Sequence, residues 1–141
     1  MSKSSNTSVL GCLYLVPNTL GEEDRVTQLS RVIPPDALCQ MASLKNWIVE
    51  DAKTARALLN AVNQITPLSH PLQSMQMNEW RGPQSKNKTG LKPHELLKPL
   101  MQGEDVGLMS EAGVPGVADP GAEIINMAHH LGARVKPLVG P

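Results

Sequence analysis

Short apolar runs alternate with amphipathic segments along this chain, and that alternation constrains the fold more than any other feature. Four runs are evident, at residues 9–16, 46–50, 105–109 and 134–140, and a further strand is expected within 66–77. Each is too short for a helix of ordinary length and suits a buried strand. Strands that alternate with helices form parallel crossover units. The sequence therefore predicts an α/β fold with a mainly parallel five-stranded sheet and helices on both faces.

The segments between the runs predict the helices. One stripe of apolar residues at steps of three and four defines the helix at 51–64, and it consists of Ala52, Ala55, Leu58, Leu59 and Val62. A helix at 36–44 follows two prolines, with Asp36 as its expected N-cap. A short helix is expected within 92–103, bent or broken at Pro99. The last helix is expected at 120–131, with Gly132 as its stop.

Composition narrows the class of protein. Lys and Arg total 13, as do Asp and Glu, so net charge does not draw the chain to nucleic acid or acidic lipid. Cys12 and Cys39 are expected to be buried small hydrophobes. No CxxC pair or Cys/His cluster predicts a metal site, and no apolar run approaches the roughly 20 residues of a membrane span. A cytoplasmic protein is expected, with a disordered tail at residues 1–8.

The segment SEAGVPGVADPG, residues 110–121, places three glycines and two prolines between a predicted strand and a predicted helix. Ligands of open parallel sheets bind outside the carboxyl ends of strands, where strand order reverses. Gly113 and Gly116 would let the backbone approach a ligand closely. A tight turn with Asp119 as a helix cap explains the same punctuation equally well. Neither GxxxxGK[ST] nor GxGxxG occurs, so no phosphate-binding motif is present.

Four segments, taken in order, resemble the tetrapyrrole methylase superfamily of S-adenosylmethionine-dependent methyltransferases. They are LYLVPNTLGE (13–22), IVEDAKTARALL (48–59), GEDVGLMSEAGVPGVADPG (103–121) and VKPLVGP (135–141). The branch most similar methylates a cytidine ribose 2′-hydroxyl of the small-subunit ribosomal RNA. Two segments depart from that branch, since VPNTLGE stands where VPTPIGN is usual and EDAK where EDTR is usual.

The resemblance implies a fold, a cofactor and a set of site residues. Residues 9–141 would form the N-terminal α/β domain of a two-domain enzyme, with the C-terminal domain absent from this chain. S-adenosylmethionine would lie in the cleft between the domains. The residues implied to line the cleft are Pro17, Asn18 and Thr19 in the first loop and Ser110, Glu111, Ala112 and Gly113 after the fourth strand.

Glu50 and Asp51 end the second predicted strand and carry two interpretations. A pair of carboxylates at the start of a helix ordinarily caps it. Alternatively, they orient the methyl acceptor or supply its general base, which a weakly nucleophilic ribose hydroxyl requires. The resemblance favours RNA as the acceptor, and the basic residues Arg81, Lys86 and Lys88 offer phosphate contacts.

Other functions are compatible with the same residues. A tetrapyrrole or another small molecule is the alternative acceptor, and a catalytically inert half that only binds is a third possibility. The expected partners are thus an RNA or small-molecule acceptor and a second copy of the chain, with no membrane and no metal. His129 and His130 point about 100° apart on their helix and are expected at the surface.

Overall fold

Five parallel strands form one sheet, as the alternation of apolar runs predicts. A computed structural model of the 141-residue chain describes residues 9–18, 29–31, 33–81, 91–111 and 121–138. The strands are β1 (Cys12–Asn18), β2 (Asn46–Val49), β3 (Gln76–Glu79), β4 (Val106–Glu111) and β5 (Arg134–Pro137). Their order across the sheet is β3-β2-β4-β1-β5, and every neighbouring pair is parallel.

The helices connect these strands as crossovers. They are α1 (Pro35–Ser43), α2 (Ala52–Ile65), α3 (Pro93–Leu96), α4 (Lys98–Met101) and α5 (Gly121–His130), with a 3-10 turn at Leu72–Ser74. The predicted stripe of α2 is confirmed, because four of its five members are buried. The predicted break in the 92–103 helix is also confirmed: α3 ends before Leu97, and Pro99 lies in the first turn of α4, where its missing N–H is not needed.

Two apolar layers cover the two faces of the sheet. Successive side chains of a strand point to opposite faces, so Trp47 and Val49 of β2 pack with α1 and α2, while Ile48 packs with α3, α4 and α5. The same alternation divides Met109 from Leu108 on β4. Helices on both faces, as predicted, therefore exclude water from a sheet whose central strands are almost wholly apolar.

Three strands reach further than the sequence predicts, and one of them is β4, whose last two residues, Ser110 and Glu111, were expected in the loop after it. β1 continues through Pro17 because it pairs with β4 as far as Asn18, whereas its described pairing with β5 ends at Leu15. The carbonyl of Leu15 accepts from the N–H of Leu138 on the β5 side, so by strand alternation the backbone nitrogen of Pro17 also faces β5 and no hydrogen bond to β4 is lost. β3 includes Asn78 and Glu79, which were expected in a loop, since pairing with β2 supplies the backbone bonds that this polar segment needs.

The predictions for three side chains are wrong. Asp36 does not cap α1: the N-cap is Pro34, and Asp36 lies within the first turn. Cys39 is exposed and Cys12 is half-buried, because the first lies on the outer face of α1 and the second near the outer strand β5.

The predicted stop at Gly132 is confirmed by its positive φ of 85°, which a glycine adopts without steric cost.

Candidate functional site

The order of the strands reverses between β1 and β4. The chain leaves β1 through α1 toward β2 on one side, and it leaves β4 through α5 toward β5 on the other. Helices α1 and α5 pack on opposite faces. The two connections therefore diverge above the carboxyl ends of β1 and β4, the point where open α/β sheets bind ligands. We call this end of the sheet the carboxyl edge.

The residues implied to line the cofactor cleft meet at this point. Pro17 pairs with Ser110, and Asn18 pairs with Glu111, in the parallel register of β1 and β4. Neighbouring strands lie about 4.8 Å apart, so residues 93 positions apart in sequence become direct neighbours. The remaining predicted members, Thr19, Ala112 and Gly113, lie outside the described residues. So do Gly116 and the predicted helix cap, Asp119.

The acidic pair that follows β2 lies at the same level of the sheet as Pro17 and Ser110. Val49 is in register with Met109, so Glu50 and Ser110 are the next residues on adjacent strands. Met109 is in turn opposite Val16, which places Pro17 in the same row. The three predicted groups on β1, β4 and β2 thus share one row at the carboxyl edge.

Asp51 caps helix α2. Its Oδ1 accepts a hydrogen bond of 3.0 Å from the backbone N–H of Lys53, and its backbone is extended, as an N-cap requires. The capping interpretation of the acidic pair is confirmed for this residue. Glu50 contributes its carbonyl oxygen, which accepts a hydrogen bond of 2.8 Å from Nε of Arg81.

Two further residues reach the start of α2: Glu79, for which the sequence predicted no role, and Arg81, which was expected only as a phosphate contact. Glu79, the last residue of β3, accepts a 2.9 Å hydrogen bond on Oε2 from the N–H of Ala52. The guanidinium of Arg81 lies 3.9 Å from the same oxygen. A carboxylate at the end of a strand was the sequence signal that could have identified Glu79. It was missed because the third strand was expected within 66–77, before Glu79.

The described start of helix α2 does not fit a phosphate. The first two N–H groups of α2, at Ala52 and Lys53, already donate to Glu79 and Asp51. They cannot also cradle an anion, as the helix start of a phosphate site does. Carboxylate and carbonyl oxygens instead suit a positively charged sulfonium.

Among the described residues, the titratable groups with shifted pKa values lie away from this edge. Burial raises the pKa of the Cys12 thiol and of the Tyr14 phenol, but both residues belong to the first half of β1. The amino end of that strand is held by Asp105, whose Oδ1 accepts a 2.8 Å bond from the N–H of Cys12. These shifts therefore do not bear on the candidate site.

The remaining sequence predictions have simple outcomes. His129 and His130 are exposed, as expected. Across the described residues, no group of three potential metal ligands occurs. No helix in the described part of the chain has both the length and the apolar character to cross a membrane. Arg81 is exposed at the carboxyl edge, while Lys86 and Lys88 lie outside the described residues.

Comparison with known proteins agrees with the resemblance. No protein-family model matches the chain. Curated proteins named ribosomal RNA small subunit methyltransferase I do match, with 29% identity over 133 residues in Bacillus subtilis, 29% over 129 in Vibrio cholerae and 28% over 134 in Haemophilus influenzae. These alignments cover 94%, 92% and 95% of this chain but only 39%, 38% and 40% of the respective relatives.

The similarity extends over most of the described sheet and includes all three groups at the carboxyl edge, while the chain spans about two-fifths of the relatives' length. The parallel α/β sheet observed here is also the fold that the resemblance implied. The chain is a distant homologue of part of the ribosomal RNA small subunit methyltransferase I proteins.

Proposed function

We propose that this chain forms one wall of an S-adenosylmethionine site in a methyltransferase that acts on RNA. The observation that carries the proposal is the register of β1 and β4, which sets Pro17 beside Ser110 and Asn18 beside Glu111 where the crossovers diverge. The relatives' name supplies the reaction class. The absence of phosphate-binding motifs in the sequence agrees with a methyl donor whose reactive centre is a cation.

The cofactor would supply a methyl group on a sulfonium, open to in-line attack by a nucleophile. The chain's own residues would orient it. The backbone of 17–19 and 110–113 would hold the donor against the sheet edge, and Glu50, one strand over, would face the acceptor. Such a site works by holding two reactants in line at a separation of roughly 3–3.5 Å and by excluding water.

The proposed acceptor is a ribose 2′-hydroxyl of ribosomal RNA, for which Glu50 would serve as the general base or orient the hydroxyl. Asp51 is committed to capping α2, so Glu50 carries this role. A tetrapyrrole or other small molecule is the alternative acceptor, because the segments 16–22 and 50–53 depart from the RNA-methylating pattern. An affinity for RNA that falls with rising salt favours the first acceptor.

Calorimetry with S-adenosylmethionine tests the donor site. The wild-type product of the complete gene should bind, and Ser110→Arg should weaken binding at least tenfold by filling the crevice. Gln73→Arg adds the same charge at an exposed position before β3, near the opposite edge, and should leave binding unchanged. Equal affinities for Ser110→Arg and wild type would contradict the assignment.

The same binding measurement on the 141-residue chain alone tests the third possibility, a catalytically inert half. If it does not bind the donor while the complete gene product does, this half is inert by itself and needs a partner domain. A homodimer is the other predicted assembly, and sedimentation equilibrium at two protein concentrations tests it. A sedimenting mass equal to one chain at both concentrations would contradict the dimer.

A further inference from the structure

Residues 79–81, at the end of β3, fasten the turn that follows β2. We propose that Glu79 and Arg81 are positioning residues for this site, and that they hold the backbone of Glu50 in the place where its side chain meets the methyl acceptor. This inference rests on the proposed function. It assigns a positioning role to two residues that are not among the site residues implied by the resemblance.

Three consecutive residues make three successive contacts with the turn. The carboxylate of Glu79 accepts from the N–H of Ala52, at 2.9 Å. The N–H of Trp80 donates to the carbonyl of Val49, at 2.8 Å. The Nε of Arg81 donates to the carbonyl of Glu50, also at 2.8 Å. We call residues 79–81 the strap, because they bind the backbone before, at and after the acidic pair.

The first two residues of the strap are held in place by their surroundings. Trp80 is 4% exposed and packs with the apolar layer formed by α3, α4 and α5. The Glu79 side chain is 15% exposed, and its Oε2 is shared between the amide of Ala52 and the guanidinium of Arg81. Because the two residues before it carry a buried indole and a mostly buried carboxylate, Arg81 starts from a fixed backbone although its side chain is 54% exposed.

Helix formation does not account for the contact between Arg81 and Glu50. Helix α2 has 14 residues, its own cap at Asp51 and a buried apolar stripe. The bond from Arg81 goes to Glu50, which lies outside the helix, and adds nothing to the capping of α2. What it fixes is the peptide plane of Glu50, and a catalytic carboxylate must be held within about 0.5 Å of its productive position.

The test separates methyl transfer from donor binding in the complete gene product. Tritiated S-adenosylmethionine is the donor, and the acceptor is the small ribosomal subunit from cells that lack the gene. Arg81→Met is the main variant, since it removes the contact with Glu50 and leaves the Ala52 contact of Glu79 in place. Glu79→Met and Glu79→Gln form a second pair, because the glutamine amide oxygen can still accept from Ala52. Arg31→Met removes an exposed cation of the described 29–31 segment and is the matched control.

Arg81→Met and Glu79→Met should lower kcat at least tenfold while the Kd of the donor stays within twofold of wild type. Glu79→Gln should recover at least half of the wild-type kcat, and Arg31→Met should match wild type. Wild-type kcat in Arg81→Met, or a donor Kd that rises as much as kcat falls, overturns the positioning role. If the wild-type protein transfers no methyl group at all, the proposed function fails first and this inference falls with it.

Discussion

Gly107 on β4 lies directly opposite Trp47 on β2, and the indole occupies the space that a side chain at position 107 would need. A Cβ placed there would lie 2.5 Å from Cζ3 of Trp47 and 3.0 Å from a methyl carbon of Leu44. Trp47 is 1% exposed, so the ring cannot move aside into solvent. The missing side chain of Gly107 leaves room for Trp47, the largest of the fully buried side chains in the described residues.

Gly107→Ala should therefore lower the free energy of unfolding by about 1–3 kcal/mol, the usual cost of overpacking a core. Urea unfolding of the 141-residue chain, followed by circular dichroism, measures it. Trp47→Leu provides the second arm of a double-mutant cycle, in which the loss from Gly107→Ala should shrink once the indole is gone. Additive losses would mean that the two residues do not compete for space.

Trp47→Phe should change stability far less than the size of the ring suggests. The indole Nε1 is buried and has no hydrogen-bond partner in the described structure, and an unsatisfied buried donor costs about 1–3 kcal/mol. Removing it offsets much of the packing lost with the smaller ring. We expect Trp47→Phe to unfold within about 1 kcal/mol of wild type, against about 3–5 kcal/mol for Trp47→Ala. Similar losses in the two variants would indicate a bonded indole.

Asp51→Ala should cost about 1 kcal/mol of stability, because the N–H of Lys53 loses its acceptor. Asp51→Asn keeps an oxygen acceptor and loses only the charge at the helix start, so its cost should be smaller, at about 0.3–1 kcal/mol. Thermal and urea unfolding of the three proteins rank them. Equal losses for Asn and Ala would show that the charge and not the hydrogen bond is the stabilising feature.

Cys39 should react with a thiol reagent such as 5,5′-dithiobis(2-nitrobenzoate) well before Cys12. Cys39 is exposed, whereas Cys12 is half-buried and its pKa is raised above 9.0, chiefly by burial. A raised pKa means less thiolate at pH 8 and slower attack. The rate at Cys12 should keep rising with pH beyond 9. Cys12→Ser and Cys39→Ser identify the two phases, and a faster phase lost in Cys12→Ser would contradict the order.

The raised pKa of Cys12 also affects stability at high pH. A folded-state pKa above the unfolded one means that the unfolded chain loses its proton first, so stability falls as pH rises through and beyond 9.0. Tyr14, whose pKa is likewise raised above 10.0 by burial, extends the loss to higher pH. Cys12→Ala should reduce the fall in the free energy of unfolding between pH 8 and pH 10. An unchanged pH profile in this variant would contradict the linkage.

The sequence was informative wherever a pattern is local. The steps of three and four in 51–64 predict α2 almost to the residue, since one buried stripe requires that period. The apolar run at 46–50 predicts β2 because only a strand of a doubly covered sheet is buried on both faces. Pattern reasoning failed at Asn78 and Glu79, whose polar side chains resemble a loop and become a strand only through pairing with β2.

By itself, then, the order of apolar runs and stripes determined the fold class, the parallel sheet and the acidic turn after β2. Only the tertiary structure decided which strands are neighbours. Pairing of β1 with β4 brings Pro17 to Ser110, and pairing of β2 with β3 brings Glu79 and Arg81 to the Glu50 turn. The physical reason is that side-chain periodicity records which face of an element is buried, whereas strand order depends on backbone hydrogen bonds between segments distant in sequence, which leave no periodic trace.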